Sequence, residues 1–160
     1  MSENAVVSKL KGKFADTVLD VTEFRGETTV TVKKEEIVAV SSYMKEELGF
    51  NFLCDICGVD YLGQVPRFMM VYNLYNITTK ERMRIKIPVA EDAAQVDTVS
   101  GVWGTANWME REVWDLMGIS FNNHPDLRRI LMPADWEGYP LRKDYPVQGP
   151  DREPYQGRLS

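Results

Sequence analysis

The 160-residue chain has one histidine and two cysteines. That shortage limits its chemistry at once, because a zinc site takes about four ligands and an iron–sulfur cluster usually four thiolates. No G-x-G-x-x-G or Walker-type loop occurs, so nothing in the sequence cradles the phosphates of a nucleotide or flavin. No apolar run approaches the roughly 18 residues that a membrane-crossing helix needs. The opening Met1-Ser2-Glu3-Asn4-Ala5 lacks the apolar stretch of a signal peptide. A surplus of positive charge is missing too: the net charge is -5, which argues against a nucleic-acid footprint for the chain as a whole. The expectation is a soluble or peripheral protein with free thiols, no direct membrane span, and any membrane link made through a partner.

What is present is ordinary for a globular protein: 44% apolar and 27% charged residues. A chain of this length folds as one domain, or one domain plus an arm, and buries about two thirds of its unfolded surface. Residues 5–14 read as a short basic amphipathic helix. Residues 18–24 and 28–32 read as strands joined at Arg25-Gly26-Glu27, a hairpin. Over residues 33–48, Ile37, Val40, Met44 and Leu48 recur at helical spacing, and Gly49 is placed to end that helix. Residues 51–59 and 67–75 read as strands, the second apolar throughout residues 68–72, as in a strand covered on both faces. Met83, Ile85 and Ile87 then alternate with Arg82, Arg84 and Lys86, a strand with one wet face that Pro88 is expected to end. Residues 105–117 return to helical spacing, with Ala106, Met109, Val113, Leu116 and Met117 on one face. Trp108, Arg111, Glu112 and Asp115 fall on the other side, and Glu110 at the edge.

Residues 1–118 therefore predict an α+β domain: a mixed or antiparallel sheet of about five strands with helices on one side. From Ile119 the periodicity stops, and prolines follow at 125, 133, 140, 146, 150 and 154. They forbid long helices and central strands. Yet Phe121, Leu127, Ile130, Leu131, Met132, Trp136, Tyr139, Leu141, Tyr145 and Tyr155 are too apolar for a disordered tail. Residues 119–160 thus read as an extended, proline-rich arm that docks on a partner, with its first part, near Phe121 to Leu131, anchored on the domain and the part after Pro133 the freest.

The candidate sites are few. Cys54-Asp55-Ile56-Cys57 is a C-x-x-C within a predicted strand, where positions three apart face opposite ways; two ordinary strand residues fit better than a metal or redox pair. His124 sits in the turn-forming Asn122-Asn123-His124-Pro125. Asp115 and Asp126 lie near it in sequence, but no nucleophile accompanies them, so a structural turn histidine fits better than a catalytic one. Glu110 and Glu112 are two apart on a helix and do not face each other, whereas Arg111 and Asp115 are four apart and suit a surface pair. Trp108 and Trp114 share that polar side, which suits either a covered docking face or two incidentally exposed rings. Arg128, Arg129, Arg142 and Lys143 are matched by Asp126, Asp135, Glu137 and Asp144. That balance, with the aromatics, suits a protein interface better than nucleic acid.

The stretch Glu110-Arg111-Glu112, Asp115-Leu116-Met117, His124-Pro125 and Arg128-Arg129-Ile130-Leu131 resembles the signature of the C-subunit family of respiratory complex I. The continuation from Met132 through Trp136, Pro140, Arg142, Lys143, Asp144, Tyr145 and Pro146 resembles it too. The resemblance implies a cofactor-free structural component of a proton-translocating NADH:quinone oxidoreductase, in the unfused form of the family. It implies no catalytic, cofactor-binding or metal residue on this chain; FMN and iron–sulfur clusters belong to other subunits. The implied place is the peripheral arm, on the cytoplasmic face of the bacterial inner membrane. There the chain would pack against the D-subunit near the quinone-reducing module, with the B- and I-subunits also near, and meet NADH and quinone only through the complex. Two alternatives carry over: the equivalent subunit of a membrane-bound hydrogenase or formate-hydrogen-lyase complex, and a stand-alone acid–base enzyme using Glu110, Asp115 and His124.

Overall fold

The computed structural model describes residues 5–148. Tyr155 and the end of the expected arm lie outside the described residues. The first helix, α1 (Ala5–Lys13), buries Val6, Val7 and Leu10 and turns its lysines outward. Strands β1 (Val18–Phe24) and β2 (Glu27–Val32) form the expected hairpin. Its two turn residues, Arg25 and Gly26, both have positive φ (52° and 79°), the geometry whose twist matches that of paired strands. The next helix opens with a single 3-10 turn, Lys34–Glu36, before α2 (Ile37–Glu46) buries Ile37, Val40 and Met44. Strands β3 (Phe52–Asp60), β4 (Phe68–Tyr75) and β5 (Arg82–Val89) follow. The last elements are β6 (Gln95–Asp97), α3 (Ala106–Met117) and β7 (Ser120–Asn122).

The five long strands form one sheet in the order β1-β2-β5-β4-β3. The β2–β5 pair is parallel and the other pairs are antiparallel, so the sheet is mixed. Period-two patterning sends Val30, Val32, Met70, Tyr72, Leu74, Met83, Ile85 and Ile87 to one face, where they join α1, α2 and α3 in a single core cluster. The opposite face carries Asn73, Arg84 and Lys86 and is half-buried at most at these positions.

Three expectations need correction. Pro88 does not end its strand: β5 continues to Val89, with Pro88 opposite Met69. The β2 ladder covers β5 only as far as Lys86, which leaves Pro88 a side with no ladder to interrupt. The domain does not end at residue 118, because Ile119 and Phe121 are core residues and β7 pairs in parallel with β6. This two-stranded sheet carries the chain past residue 118 without leaving the domain. Beyond it, residues 123–148 have no strand or helix, yet they run back over α3 and the end of β3. This irregular segment, the strap, is held on its own chain rather than standing free of it.

The path into the strap turns on Gly118, which caps α3 in the left-handed region (φ 71°) and donates its N–H to Trp114 O. A Cβ there would lie 2.5 Å from the Tyr139 ring. Only glycine satisfies both conditions. Gly118→Ala should therefore lower stability by about 1–3 kcal/mol. Gly12→Ala, on the open face of α1 with nothing within 4 Å, should leave stability unchanged or raise it slightly. Urea midpoints of the two variants test the contrast, and equal midpoints would contradict it.

Candidate functional site

Helix α3 packs on β3 and presents three charged residues, Glu110, Arg111 and Asp115, that are all buried. The sequence suited Arg111 and Asp115 to a surface pair, on a face that was either covered by a partner or exposed. The structure corrects this: the strap returns over that face, and each residue binds the strap instead of the other. Arg111 Nε donates to Arg128 O at 3.0 Å. Asp115 Oδ2 accepts the N–H groups of Ile130, Leu131 and Met132 at 3.0, 2.8 and 2.9 Å. Its Oδ1 takes the Arg129 guanidinium at 2.6 Å. Arg129 then donates to Trp136 O at 3.0 Å. Burial pushes the Asp115 carboxyl up, but the three amides and Arg129 outweigh it and hold the group below the usual aspartate range.

Farther along, Leu141 N donates to Leu116 O at 3.0 Å and Arg142 Nε to Met117 O at 2.7 Å. These are carbonyls of the last turn of α3, which has no helical donors left for them. The Arg142 guanidinium lies 4.7 Å from the Tyr139 ring centroid and 5.2 Å from that of Phe68. Lys143 N donates to Asp60 Oδ2 at 2.8 Å, and Asp144 reaches the Arg67 guanidinium at 2.8 Å. Arg67 is buried and also binds Asp60 through two bonds of 2.8 and 2.9 Å, and Glu91. Hydrogen bonds from Arg67 are the chief cause that holds both Asp60 and Asp144 below the usual range.

At the root of the strap, Glu110 is fully buried. Its Oε1 accepts Val99 N at 2.7 Å and its Oε2 accepts the Thr98 hydroxyl. His124, also without side-chain exposure, brings Nε2 to 3.7 Å from the same carboxylate. Asp126 N donates to His124 Nδ1 at 3.0 Å, so in the neutral ring Nε2 carries the proton and donates to Asn107 O at 3.1 Å. Burial pushes the Glu110 carboxyl up to about 7 against the pull of Thr98 and Val99.

Of the other residues singled out from sequence, Glu112, Pro125, Arg128 and Lys143 are exposed, and Trp136, Pro140 and Tyr145 are half-buried. The exposed Arg128 pairs with Asp126 at 2.9 Å. Trp108 is 63% exposed, with the Arg111 guanidinium over its ring, while Trp114 packs against the core. Cys54 falls at a register shift in β3 and is exposed; Cys57 is half-buried opposite Val71, and both are free thiols. Among the described residues no group of three or more His, Cys, Asp and Glu side chains is arranged to hold a metal, and no helix is long and apolar enough to cross a membrane. Asp60, Arg67 and Thr98 are the residues that the sequence reading missed. A charge at each inner edge of two apolar runs, Asp60 at the end of β3 and Arg67 just before β4, was the available sign.

Two expected outcomes follow from this geometry. Asp115→Asn sets an NH2 group against either Arg129 or the strap amides, and should cost about 2–4 kcal/mol. Hydrogen exchange should accelerate at Ile130, Leu131 and Met132 before the core of β4; unchanged exchange there would refute the clamp. For Glu110, the folded chain binds the proton more tightly than the unfolded chain does. Its contribution to stability is therefore complete below the ordinary glutamate value of 4.5 and lost as pH rises through about 7. Asp60, Asp115 and Asp144 act oppositely, but only as pH falls below the usual 3.8. The thermal stability of the wild type should thus fall from pH 5 to 7.5, by at most about 3 kcal/mol. Glu110→Gln should flatten that slope, and an equally steep slope in the variant would count against the assignment.

Comparison with known proteins gives the chain's family. A family model described as "Respiratory-chain NADH dehydrogenase, 30 Kd subunit" matches residues 30–151. The C-subunit of the NADH-quinone oxidoreductase of Geotalea uraniireducens (strain Rf4) is 64% identical over 157 residues, covering 98% of this chain and 96% of the relative. The solved trypsin-resistant fragment (1-134) of Nqo5 superposes with a TM-score of 0.68 at 33% identity, covering 76% of this chain and 96% of that one. A chain of an archaeal membrane-bound sulfane sulfur reductase shares the fold, with a TM-score of 0.78 at 24% identity over 89% of this chain and 84% of that one. With the matched region running from β2 through the strap, the chain belongs to the family of the 30 kDa subunit of respiratory-chain NADH dehydrogenase.

Proposed function

We propose that the chain is a cofactor-free structural component of the peripheral arm of a proton-translocating NADH:quinone oxidoreductase, on the cytoplasmic face of the membrane. It packs against the D-subunit near the quinone-reducing module, with the B- and I-subunits as further neighbours, and has no catalytic residue of its own. The observation that carries this reading is how its buried ionisable groups are used. Asp60, Arg67, Arg111 and Asp115 hold the strap or the strand ends beneath it, and each has its partners within the chain. Glu110 and His124, a pair suited to acid–base work, have no side-chain exposure through which a substrate could reach them. A chain that spends its buried polar groups on shape, and leaves Trp108, Leu131 and Leu141 more than half exposed, suits a part meant to be covered.

The shared fold of the sulfane sulfur reductase chain supports a second reading, the equivalent subunit of a related membrane complex with another electron donor or acceptor. The 64% identical relative favours the NADH-linked assembly.

Both readings meet one experiment. Affinity-tagged chain drawn from detergent-solubilised membranes should bring NADH:quinone reductase activity, flavin and iron–sulfur signals with it. The chain purified alone, without oxygen, should show no metal and no visible absorption. A stoichiometric flavin or cluster on the isolated chain would defeat the cofactor-free assignment. Recovery with nickel-binding subunits and no NADH oxidation would favour the second reading.

A further inference from the structure

Over residues 141–144 the strap alternates between its two sides. Leu141 and Lys143 send their N–H groups inward, to Leu116 O and to Asp60, and their side chains outward. Arg142 and Asp144 send their side chains inward, to Met117 O and to Arg67. Lys143 is therefore pinned by its own backbone and by both neighbours. Asp144 is committed to Arg67, and Arg142 sits in the field of Asp60 and Asp144. Among the described residues the Lys143 ammonium has no carboxylate partner.

This cation stands on a groove of about 530 Å³, lined by Trp136, Pro140, Leu141, Lys143, Pro146 and Val147 among others. Leu141 is 56% exposed and Val147 fully so. Apolar surface beside the exposed Lys143 ammonium, with Arg142 also on the lining, is complementary to a carboxylate flanked by an aliphatic or aromatic side chain. Because the backbone from Leu141 to Asp144 is held on Leu116, Met117, Asp60 and Arg67, little ordering cost is left on that side of the groove.

We propose that this groove receives an acidic segment of a partner subunit, with an Asp or Glu carboxylate paired to Lys143 and its apolar neighbour resting on Leu141 and Val147. The proposal rests on the reading of the chain as part of a larger complex, and names the chemistry of one of its contacts.

A zero-length carbodiimide coupling on the detergent-solubilised complex tests it. Lys143 should be recovered by mass spectrometry in an isopeptide bond to an Asp or Glu of another polypeptide. Its acetylation by an amine-reactive ester should fall about tenfold on assembly. Lys143→Glu should lower the amount of chain recovered with the complex at low salt, while Lys143→Arg should retain it and lose the cross-link. Matching urea midpoints for both variants would show that the fold is intact. Coupling to Asp151 or Glu153 of the same chain, protection without any carboxylate cross-link, or equal reactivity in free and assembled chain would each overturn the proposal. The wild-type chain's recovery with the complex is read first, so failure of the complex assignment and failure of the groove assignment are separate results.

Discussion

A single buried carboxylate, Asp115, decides where the last stretch of the described chain goes. An ionised group without solvent exposure is tolerable only if its lone pairs are filled. Here Arg129 fills one side and three consecutive amides of the strap fill the other. The relation runs both ways. Residues 130–132 form no ladder and no helix, so their N–H groups would otherwise be left to water. The carboxylate gains its stabilisation from the strap, and the strap gains its path from the carboxylate. Hydrogen bonds to a charged acceptor contribute more than neutral ones, roughly 1.5–3 kcal/mol against about 1. That difference lets a segment without regular structure offset about 1–2 kcal/mol of backbone entropy per residue at its clamped positions.

The same arrangement recurs at the other end of the strap. Arg67 gathers Asp60 from β3, Glu91 from the 3-10 turn after β5 and Asp144 from the strap. A lone buried guanidinium would be strongly destabilising, and a three-carboxylate shell makes it a junction of three segments. Between the two junctions, the last carbonyls of α3 accept from Leu141 and Arg142, so the C-terminus of the helix is capped by the segment it positions. Gly118 and Tyr139 close the remaining space. Hydrophobic burial builds the sheet and its helices; a chain of polar contacts, each with a charged partner or a helix-end carbonyl, lays the strap on top.

The first half of this was legible in the residues and the second was not, for a physical reason. Strands and helices repeat at periods of two and 3.6, so Met83, Ile85 and Ile87, or Val113 and Met117, declare their face locally. Strand β6 is three residues long with only Val96 buried, too short for a period to appear. Asp115 and Arg111 were misplaced because a charge on a helix is read as solvated unless something is known to cover it. What covers them is a segment some 15 residues downstream with no periodicity of its own. Glu110, at the edge of the apolar stripe, gave a weak sign of its burial. Family resemblance picked out Asp115, Arg129 and Arg142 without saying that the first two pair with each other or that the third donates to Met117 O.

The strap also explains why an irregular segment can present a defined surface. In a free extended arm, Leu141 and Lys143 would sample many orientations, and a partner would bear the cost of ordering them. Here the inward positions of the alternation, Arg142 and Asp144, are held by α3 and by the Arg67 junction, so the outward positions inherit the rigidity of the sheet core. Prolines at 133, 140 and 146 reinforce this by restricting φ where no ladder could. Substitutions at inward positions then act on the outer surface through the backbone, without touching a partner, whereas substitutions at outward positions change only contact chemistry. A loss of assembly from Arg142→Ala would therefore report on the position of Lys143 as much as on arginine itself, and the two are separable only because residue 143 carries its charge on the side that the fold leaves open.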